Sequence, residues 1–403
     1  MSELQVPCIS ENASRGHALV FIAACRSVRN SALYVICVLF SGFFPACAQT
    51  TQKVAYEDVA SVYHLESLGK DIYAFIAPEP KVPIVSGNSV VIIGSDAVLV
   101  VDSGQFPALT RRMIADIKTK TNKPVRYLIN THWHGDHNSG NAVYAAEFPG
   151  LSIVGTPFTR EAMNGYQPKF FDMVKTAYPQ ALERLRKALQ ESKKPDGTPM
   201  TQEDKRFFSG VVEVMGELIP QLKDINYVGP NVTFTDQMNI DLGGREVKIL
   251  WLGNANTAGD ALVFVPDQKF LATGDILVWP TPYATTSYIA SWIKVMDKLL
   301  AMDLSTIVPG HGPAMHDKDY MQIVRRLLAD LNDQTKEAVA QGLSLEETKK
   351  KVNLQAYKDQ LTQGIPGRVY AWDNYFMTAV DSAWKEQQGI PIDENPFPPP
   401  ARK

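Results

Sequence analysis

The sequence predicts a layered α/β fold, and two patterns support this prediction. Short apolar runs that are typical of buried strands alternate with a helical segment over residues 89–130. Amphipathic helical segments dominate over about 156–225 and again from residue 318 onward, with further strand-like runs between them. We therefore expect an α/β core that carries a helical insertion and a helical C-terminal extension.

The composition is that of an ordinary globular protein. The 403 residues suffice for one large domain with an appendage, and the hydrophobic and charged fractions of 45% and 21% are typical of such domains. The net charge is only −3, and no basic stripe alternates with aromatic residues. A general affinity for nucleic acid or for an anionic membrane is therefore not expected.

The N-terminal region predicts a secretory signal. Residues 32–40 form an apolar run, and Ala46-Cys47-Ala48 is a cleavage site of the A-x-A type. The run is too short to span a bilayer comfortably. We expect residues 1–48 to be removed after Ala48, which would leave a periplasmic or secreted protein without stable membrane insertion. A weaker alternative is lipid modification of Cys47.

The first strands and helix lead into a motif that is rich in potential metal ligands. Runs at 89–93 and 97–101, separated by Gly-Ser-Asp, predict a hairpin that ends at Asp102. A helical segment at 107–120 precedes a buried strand at 125–130. The chain then continues as T-H-W-H-G-D-H-N-S-G-N over residues 131–141.

This motif places His132, His134, Asp136 and His137 within six residues. On an extended segment, residues i and i+2 point to the same side, so the first two imidazoles can reach one ion. The other two side chains, on the turn that follows, can reach a second ion. Four potential ligands at a strand end favour a metal site over a histidine-rich surface loop. All cysteines lie within the first 47 residues, so the ligands must be nitrogen and oxygen atoms.

The run H-W-H-G-D-H matches the H-x-H-x-D-H signature, and on it the chain resembles the metallo-β-lactamase-fold superfamily of metallohydrolases. Three further motifs follow in the order that this superfamily requires: G-N-A-N-T-A-G-D at 253–260, T-G-D at 273–275 and V-P-G-H-G at 308–312. The resemblance implies that Asp275 bridges two metals and that His311 is the last ligand of the second. Asn256 stands where the family typically has a histidine.

The resemblance therefore implies two metal sites of unequal strength. The first would comprise His132, His134 and Asn256, and an amide oxygen is a poorer ligand than imidazole for zinc-like ions. The second would be complete, with Asp136, His137, His311 and the bridging Asp275. Asp102 matches a family aspartate behind the histidine-rich loop, where it could accept the second N–H of a ligand histidine. The alternative is that it is a turn residue or a helix cap.

The fold that the resemblance implies is a four-layer αββα sandwich with the metals at one edge of its two sheets. We expect this domain to span 49–317, with the helical insertion at about 156–225. Residues 318–403 would form the C-terminal helical extension, which ends in a loose proline-rich tail. This extension could pack on its own domain or on a partner subunit, and composition does not choose between them.

The expected function is zinc-dependent hydrolysis of a small molecule. Water held by one or two zinc ions would attack an ester, lactone, thioester or related bond, while Asp136 orients the nucleophile and could pass a proton to the leaving group. The resemblance favours this over a dedicated β-lactamase, because the β-lactam-cleaving members lack the bridging aspartate. A mononuclear iron oxygenase and a catalytically weak metal-binding protein are the remaining alternatives.

Overall fold

The computed structural model describes residues 63–77, 86–194 and 197–395. Within these ranges the chain has two β-sheets with helices on their outer faces. The predicted signal segment, residues 1–48, and the proline-rich run 396–400 lie outside the described residues. No helix in the described ranges combines the length and apolar character that crossing a bilayer requires.

The first sheet has its seven strands in sequential order. The first four are antiparallel neighbours, and β4 to β7 run parallel. The predicted hairpin forms β3 and β4 of this sheet. The strands are β1 His64–Gly69, β2 Ile72–Ile76, β3 Ser89–Ile93, β4 Val98–Val101, β5 Val125–Ile129, β6 Ser152–Gly155 and β7 Val232–Thr233.

The second sheet has five strands in the order β12-β11-β10-β9-β8. Its neighbours are antiparallel except for β11 and β12, which run parallel. The strands are β8 Gln237–Asp241, β9 Glu246–Trp251, β10 Ala261–Val265, β11 Phe270–Val278 and β12 Thr306–His311.

The helices fall into three groups along the chain. Those of the core are α1 Pro107–Lys120, α2 Gly135–Asn138, α3 Asn141–Glu147 and α7 Ile289–Ala301. Those of the insertion are α4 Pro157–Gly165, α5 Gln167–Glu191 and α6 Gln202–Leu218, followed by a 3₁₀ turn at Ile219–Asp224. Those of the C-terminal extension are α8 Asp319–Ala340, α9 Leu345–Lys351, α10 Gln355–Thr362, α11 Pro366–Ala371, a π-helical turn Trp372–Phe376 and α12 Ala379–Gln387.

The two sheets pack face to face, which confirms the predicted αββα sandwich. Alternate residues of each strand point to the same side, so each sheet buries one face against the other. A single apolar cluster fills the space between them, with Ile92, Leu99 and Ile129 from the first sheet and Ile249 and Val263 from the second. The outer face of the first sheet is covered mainly by α1 and α3.

The C-terminal extension packs on its own domain. Its helices cover the outer face of the second sheet together with α7, and Leu328, Phe376 and Val380 share one buried cluster with Leu271 and Trp292. All five side chains are essentially inaccessible to solvent. The extension is therefore part of the main core, which decides the alternative that the sequence left open.

Two strands of the second sheet are longer than the sequence predicts. The apolar runs predict strands that end before T-G-D and before P-G-H-G, whereas β11 and β12 continue through Asp275 and His311. The register of this pair shifts on both sides of Gly274, which has a φ of 52°. Such bulges redirect side chains, and here the carboxylate inside β11 faces the histidine-rich loop.

Replacement of Phe376 by alanine should destabilise the whole protein, not only the extension. The ring is fully buried in the shared cluster, and removing a buried phenylalanine ring costs about 3–5 kcal/mol. Chemical denaturation followed by circular dichroism measures this. The matched control is Ile390→Ala, because Ile390 is 44% exposed and should change the free energy of unfolding by less than about 0.5 kcal/mol. Equal stabilities of the two variants would contradict an integral extension.

Candidate metal centre

The potential ligands converge at one edge of the sandwich, where loops of the two sheets meet. The loop that follows β5 carries the histidine-rich motif, and β11 and β12 carry the other ligands. Two backbone hydrogen bonds join the sheets at this edge, from Ala261 N to Thr131 O at 2.7 Å and from Asn88 N to Gly310 O at 2.7 Å. The site is therefore held by both sheets together.

The second predicted group brings four donor atoms into mutual contact. His137 Nε2 lies 3.1 Å from Asp275 Oδ1, 3.2 Å from His311 Nε2 and 3.3 Å from Asp136 Oδ2. His311 Nε2 lies 3.1 Å from Asp136 Oδ2 and 3.5 Å from Asp275 Oδ1. In a tetrahedral zinc site with bonds of about 2.0 Å, the ligand atoms lie about 3.3 Å apart. These five separations are close to those of five of the six edges of such a tetrahedron.

The first group consists of His132, His134 and Asp275, whose donor atoms lie within 4.8 Å of one another. His132 Nε2 lies 3.6 Å from Asp275 Oδ2. This nitrogen is buried and has no hydrogen-bond partner among the described residues. Buried polar atoms nearly always have a hydrogen-bond partner. An unpaired, buried ring nitrogen that faces the other donor atoms of the group is therefore suited to bind a metal ion.

Asp275 belongs to both groups. Its Oδ1 contacts His137 in the second group, and its Oδ2 faces His132 in the first. The structure thus places this carboxylate between the two groups, where the sequence resemblance implies a bridging ligand.

Asp102 lies behind both groups and orients two of the imidazoles. Its Oδ2 accepts hydrogen bonds from His137 Nδ1 at 2.8 Å and from the hydroxyl of Thr131 at 2.7 Å. That hydroxyl is also 3.0 Å from His132 Nδ1, from which it can accept a hydrogen bond. In its neutral form each ring therefore carries its proton on Nδ1 and directs the lone pair of Nε2 into the site.

The electrostatics of the site favour positive charge at its centre. Burial opposes protonation of His137, but the three neighbouring carboxylates together raise its pKa well above the usual range of histidine. Burial would raise the pKa of Asp275, but the adjacent histidines, His137 first, hold it below its usual range. By contrast, burial lowers the pKa of His132 well below its usual range. The surroundings therefore favour the ionised form of Asp275 and the neutral form of His132, which are the forms that bind a metal ion.

Within the described chain, the side-chain amide of Asn256 uses its nitrogen in a hydrogen bond but not its oxygen. Its side chain is buried, and Nδ2 donates a 2.5 Å hydrogen bond to the carbonyl of Tyr283. The ring of Tyr283 lies against His134, with 5.5 Å between ring centroids. Oδ1 has no hydrogen-bond partner among the described residues. A buried amide oxygen without a hydrogen-bond partner among the described residues suits a weak ligand, and ligation by Asn256 stays a prediction.

Close backbone approach makes two glycines necessary at this edge. A Cβ on Gly310 would lie 2.0 Å from Asp275 Oδ1, and a Cβ on Gly87 would lie 2.4 Å from the ring of His137. No other residue type could take either place without moving a ligand. The nitrogen and oxygen donor set, the tetrahedral separations and this tight backbone cradle all fit a metal centre.

Neither Trp292 nor the two remaining histidines of the described residues belongs to either ligand group. Trp292 is fully buried in the main cluster and donates from Nε1 to the carbonyl of Ile276. His64 pairs with Glu66 on β1, and His316 is exposed. No sequence pattern predicts a role for Glu394, which is buried and accepts a hydrogen bond from Trp133 of the histidine-rich motif.

Comparisons with known proteins identify a family and several relatives. A family model described as the metallo-beta-lactamase superfamily matches residues 82–311. A curated linear primary-alkylsulfatase from Pseudomonas sp. (strain ATCC 19151) is 23% identical over 322 residues, which cover 75% of this chain and 57% of the relative. The chain thus spans little more than half the length of that relative.

Solved structures with similar folds include two further proteins. A stereoselective inverting sec-alkylsulfatase from Pseudomonas sp. superposes with a TM-score of 0.55 and 15% identity, over 85% of this chain and 54% of that one. A metallo-beta-lactamase from Pontibacter korlensis has a TM-score of 0.45 and 19% identity, over 66% of this chain and 99% of that one. The first of these likenesses shows a shared fold.

Replacement of His311 by alanine should remove the more tightly bound of two zinc ions, because it breaks the complete tetrahedral group. Zinc titration of chelator-treated protein against a competing dye measures this. His316→Ala is the matched control, since His316 is exposed and lies outside both groups. Unchanged zinc binding in His311→Ala, or an equal loss in the control, would contradict this assignment.

Proposed function

Because the chain belongs to the metallo-beta-lactamase superfamily, we propose that it is a zinc-dependent hydrolase of small-molecule esters, with alkyl sulfates as its substrate class. The observation that carries the hydrolase proposal is the pair of ligand groups that share Asp275. Two groups at one carboxylate suit two ions acting on one substrate. Similarity to a linear primary-alkylsulfatase over 75% of the chain supports the substrate class.

The proposed reaction adds water across the ester bond, so that an alkyl sulfate yields an alcohol and hydrogensulfate. Zinc, when bound, supplies a Lewis acid and lowers the pKa of water toward neutrality. The side chain of Asp136 is 16% exposed, whereas that of Asp275 is 4% exposed. Of the two carboxylates, Asp136 is therefore the one that solvent and substrate can reach. We assign to Asp136 the orientation of the attacking water and the transfer of its proton to the leaving oxygen.

A row of tyrosine rings leads away from the first group and suits an apolar substrate chain. Tyr283 contacts His134, Tyr375 lies 5.4 Å from Tyr283, and Tyr370 lies 5.9 Å from Tyr375, each between ring centroids. All three rings are half-buried. Because aromatic faces bind aliphatic chains well, we assign the alkyl group of the substrate to this row, which the C-terminal extension completes.

The zinc-reconstituted protein, produced from Gln49 onward, should release sulfate from octyl and dodecyl sulfate and lose this activity with a chelator. A chromogenic cephalosporin, a simple lactone and a thioester should react more slowly. Sulfate release and alcohol formation are measured in parallel. Tyr375→Ala should raise KM for dodecyl sulfate more than for octyl sulfate, because the longer chain contacts more of the tyrosine row. Tyr73→Ala, on the outer face of the first sheet, is its control.

Other outcomes of the same panel would contradict the substrate class in distinct ways. Faster cleavage of the cephalosporin would indicate a β-lactamase, and faster cleavage of the lactone or thioester would indicate a hydrolase of those esters. Bound iron with oxygen uptake on a thiol substrate would indicate an oxygenase. No turnover with any substrate would indicate a metal-binding protein without this chemistry.

We also propose that the protein is exported, on the support of the apolar run 32–40 and the A-x-A site at 46–48. The full-length chain expressed in a Gram-negative host should then be recovered from the periplasm with Gln49 as its first residue. Mass spectrometry of the purified protein measures this. Retention of residues 1–48 in the cytoplasm would contradict the proposal.

A further inference from the structure

Near the end of the described chain, a buried carboxylate returns to the metal edge. After α12, residues 388–395 have no regular structure, yet the side chain of Glu394 is only 4% exposed. Its Oε2 accepts a 2.7 Å hydrogen bond from Trp133 Nε1, and its Oε1 accepts a 2.7 Å hydrogen bond from Ala258 N. Tyr288 makes a further hydrogen bond to it. One carboxylate thus joins segments that are far apart in the chain.

The two N–H donors lie close in the chain to His134 and to the predicted ligand Asn256. Trp133 lies between two ligand histidines in the chain, and its ring packs edge-on against His134 with 4.7 Å between centroids. Ala258 follows Asn256 by two residues in the G-N-A-N-T-A-G-D motif. His134 comes from the loop after the first sheet's β5, and Asn256 from the turn between β9 and β10 of the second sheet. Glu394 therefore bridges the loops whose separation sets the geometry of this group.

The hydrogen bonds of Glu394 compensate for the burial of its charge. Burial raises the pKa of Glu394 to about 7, so the carboxylate lies in surroundings that disfavour its charge. Two charge-assisted hydrogen bonds of 2.7 Å offset this cost, and each is stronger than a bond between neutral groups. Removal of the carboxylate would leave the indole N–H and the Ala258 N–H without this acceptor in a buried place, and unpaired buried donors are destabilising.

We propose that Glu394 is a positioning residue of the metal centre, which holds the His134 loop and the Asn256 turn in register and thereby sets the geometry around the first metal group. The C-terminal extension then has a role beyond covering the second sheet. This inference rests on the proposed metal centre but not on the substrate class, so metal binding tests it even if no alkyl sulfate is cleaved.

The test compares the full mature chain with its Glu394→Ala, Glu394→Gln and Trp133→Phe variants at pH 8. Cobalt and zinc titrations should show a loss of affinity for the more weakly bound ion of about 10–100-fold in Glu394→Ala, the range found for partners that orient ligands. The tighter ion should stay within about twofold of the wild type. Glu394→Gln keeps one acceptor oxygen and should be intermediate, and the absorption bands of cobalt in the first group should change.

A second readout needs no metal. In chelator-treated protein, hydrogen exchange should be faster at the Ala258 amide and around Trp133 in Glu394→Ala than in the wild type. Asp393→Ala is the matched control, because Asp393 is the exposed neighbour in the chain and should change neither readout. Trp133→Phe removes one of the two donors while it keeps a ring in place, so Glu394→Ala and Trp133→Phe should be less than additive in a double-mutant cycle.

Three outcomes would overturn the proposal. In the first, the affinities for both metal ions are unchanged in all variants. In the second, both affinities fall equally and the melting temperature falls with them, which would indicate that Glu394 only stabilises the fold. Additive effects of Glu394→Ala and Trp133→Phe would show that the two groups do not act through each other. If Glu394→Ala fails to fold, Glu394→Gln and Trp133→Phe decide the question by the same measurements.

Discussion

The hydrogen bonds of one buried carboxylate, Asp102, hold the metal edge in its arrangement. This residue directly follows β4 and has a φ of 57°, a left-handed conformation that costs a residue other than glycine about 1–3 kcal/mol. Three hydrogen bonds offset that strain: Oδ1 accepts from Thr131 N, and Oδ2 accepts from the Thr131 hydroxyl and from His137. Through the same hydroxyl it also reaches His132. One ligand of each group is thus fixed by a single side chain.

The second constraint is that neither sheet alone builds a metal group. Each group takes two ligands from the loop after β5 but needs a residue of β11 or β12 to be complete. The contact between the sheets must therefore be close and exact in register, which explains the bulges around Gly274 and the absence of a side chain at Gly310. The large apolar cluster between the sheets supplies the free energy that holds this edge closed.

The helical segment at about 156–225 and the C-terminal segment converge on the same edge. Trp133 contacts Tyr166 of the insertion and Glu394 of the C-terminal segment, while Tyr375 of the extension continues the row of rings that begins at Tyr283. Insertions on a conserved scaffold commonly set substrate preference. In this protein the two segments meet around the first ligand group. Differences between this protein and its relatives in substrate preference and metal affinity would originate there.

The sequence by itself determined the family, the layered fold and the identity of the potential ligands, because those depend on local patterns: strand and helix periodicity, and ligands spaced within six residues. It also placed Asn256 at a family histidine position. Only the tertiary structure decided that the extension belongs to the main core and that β11 carries Asp275 inside a bulged strand. It alone revealed Glu394, whose partners are 136 and 261 residues away. Contacts between residues so distant in the chain leave no periodic pattern, since they are set by packing of whole elements rather than by local conformation.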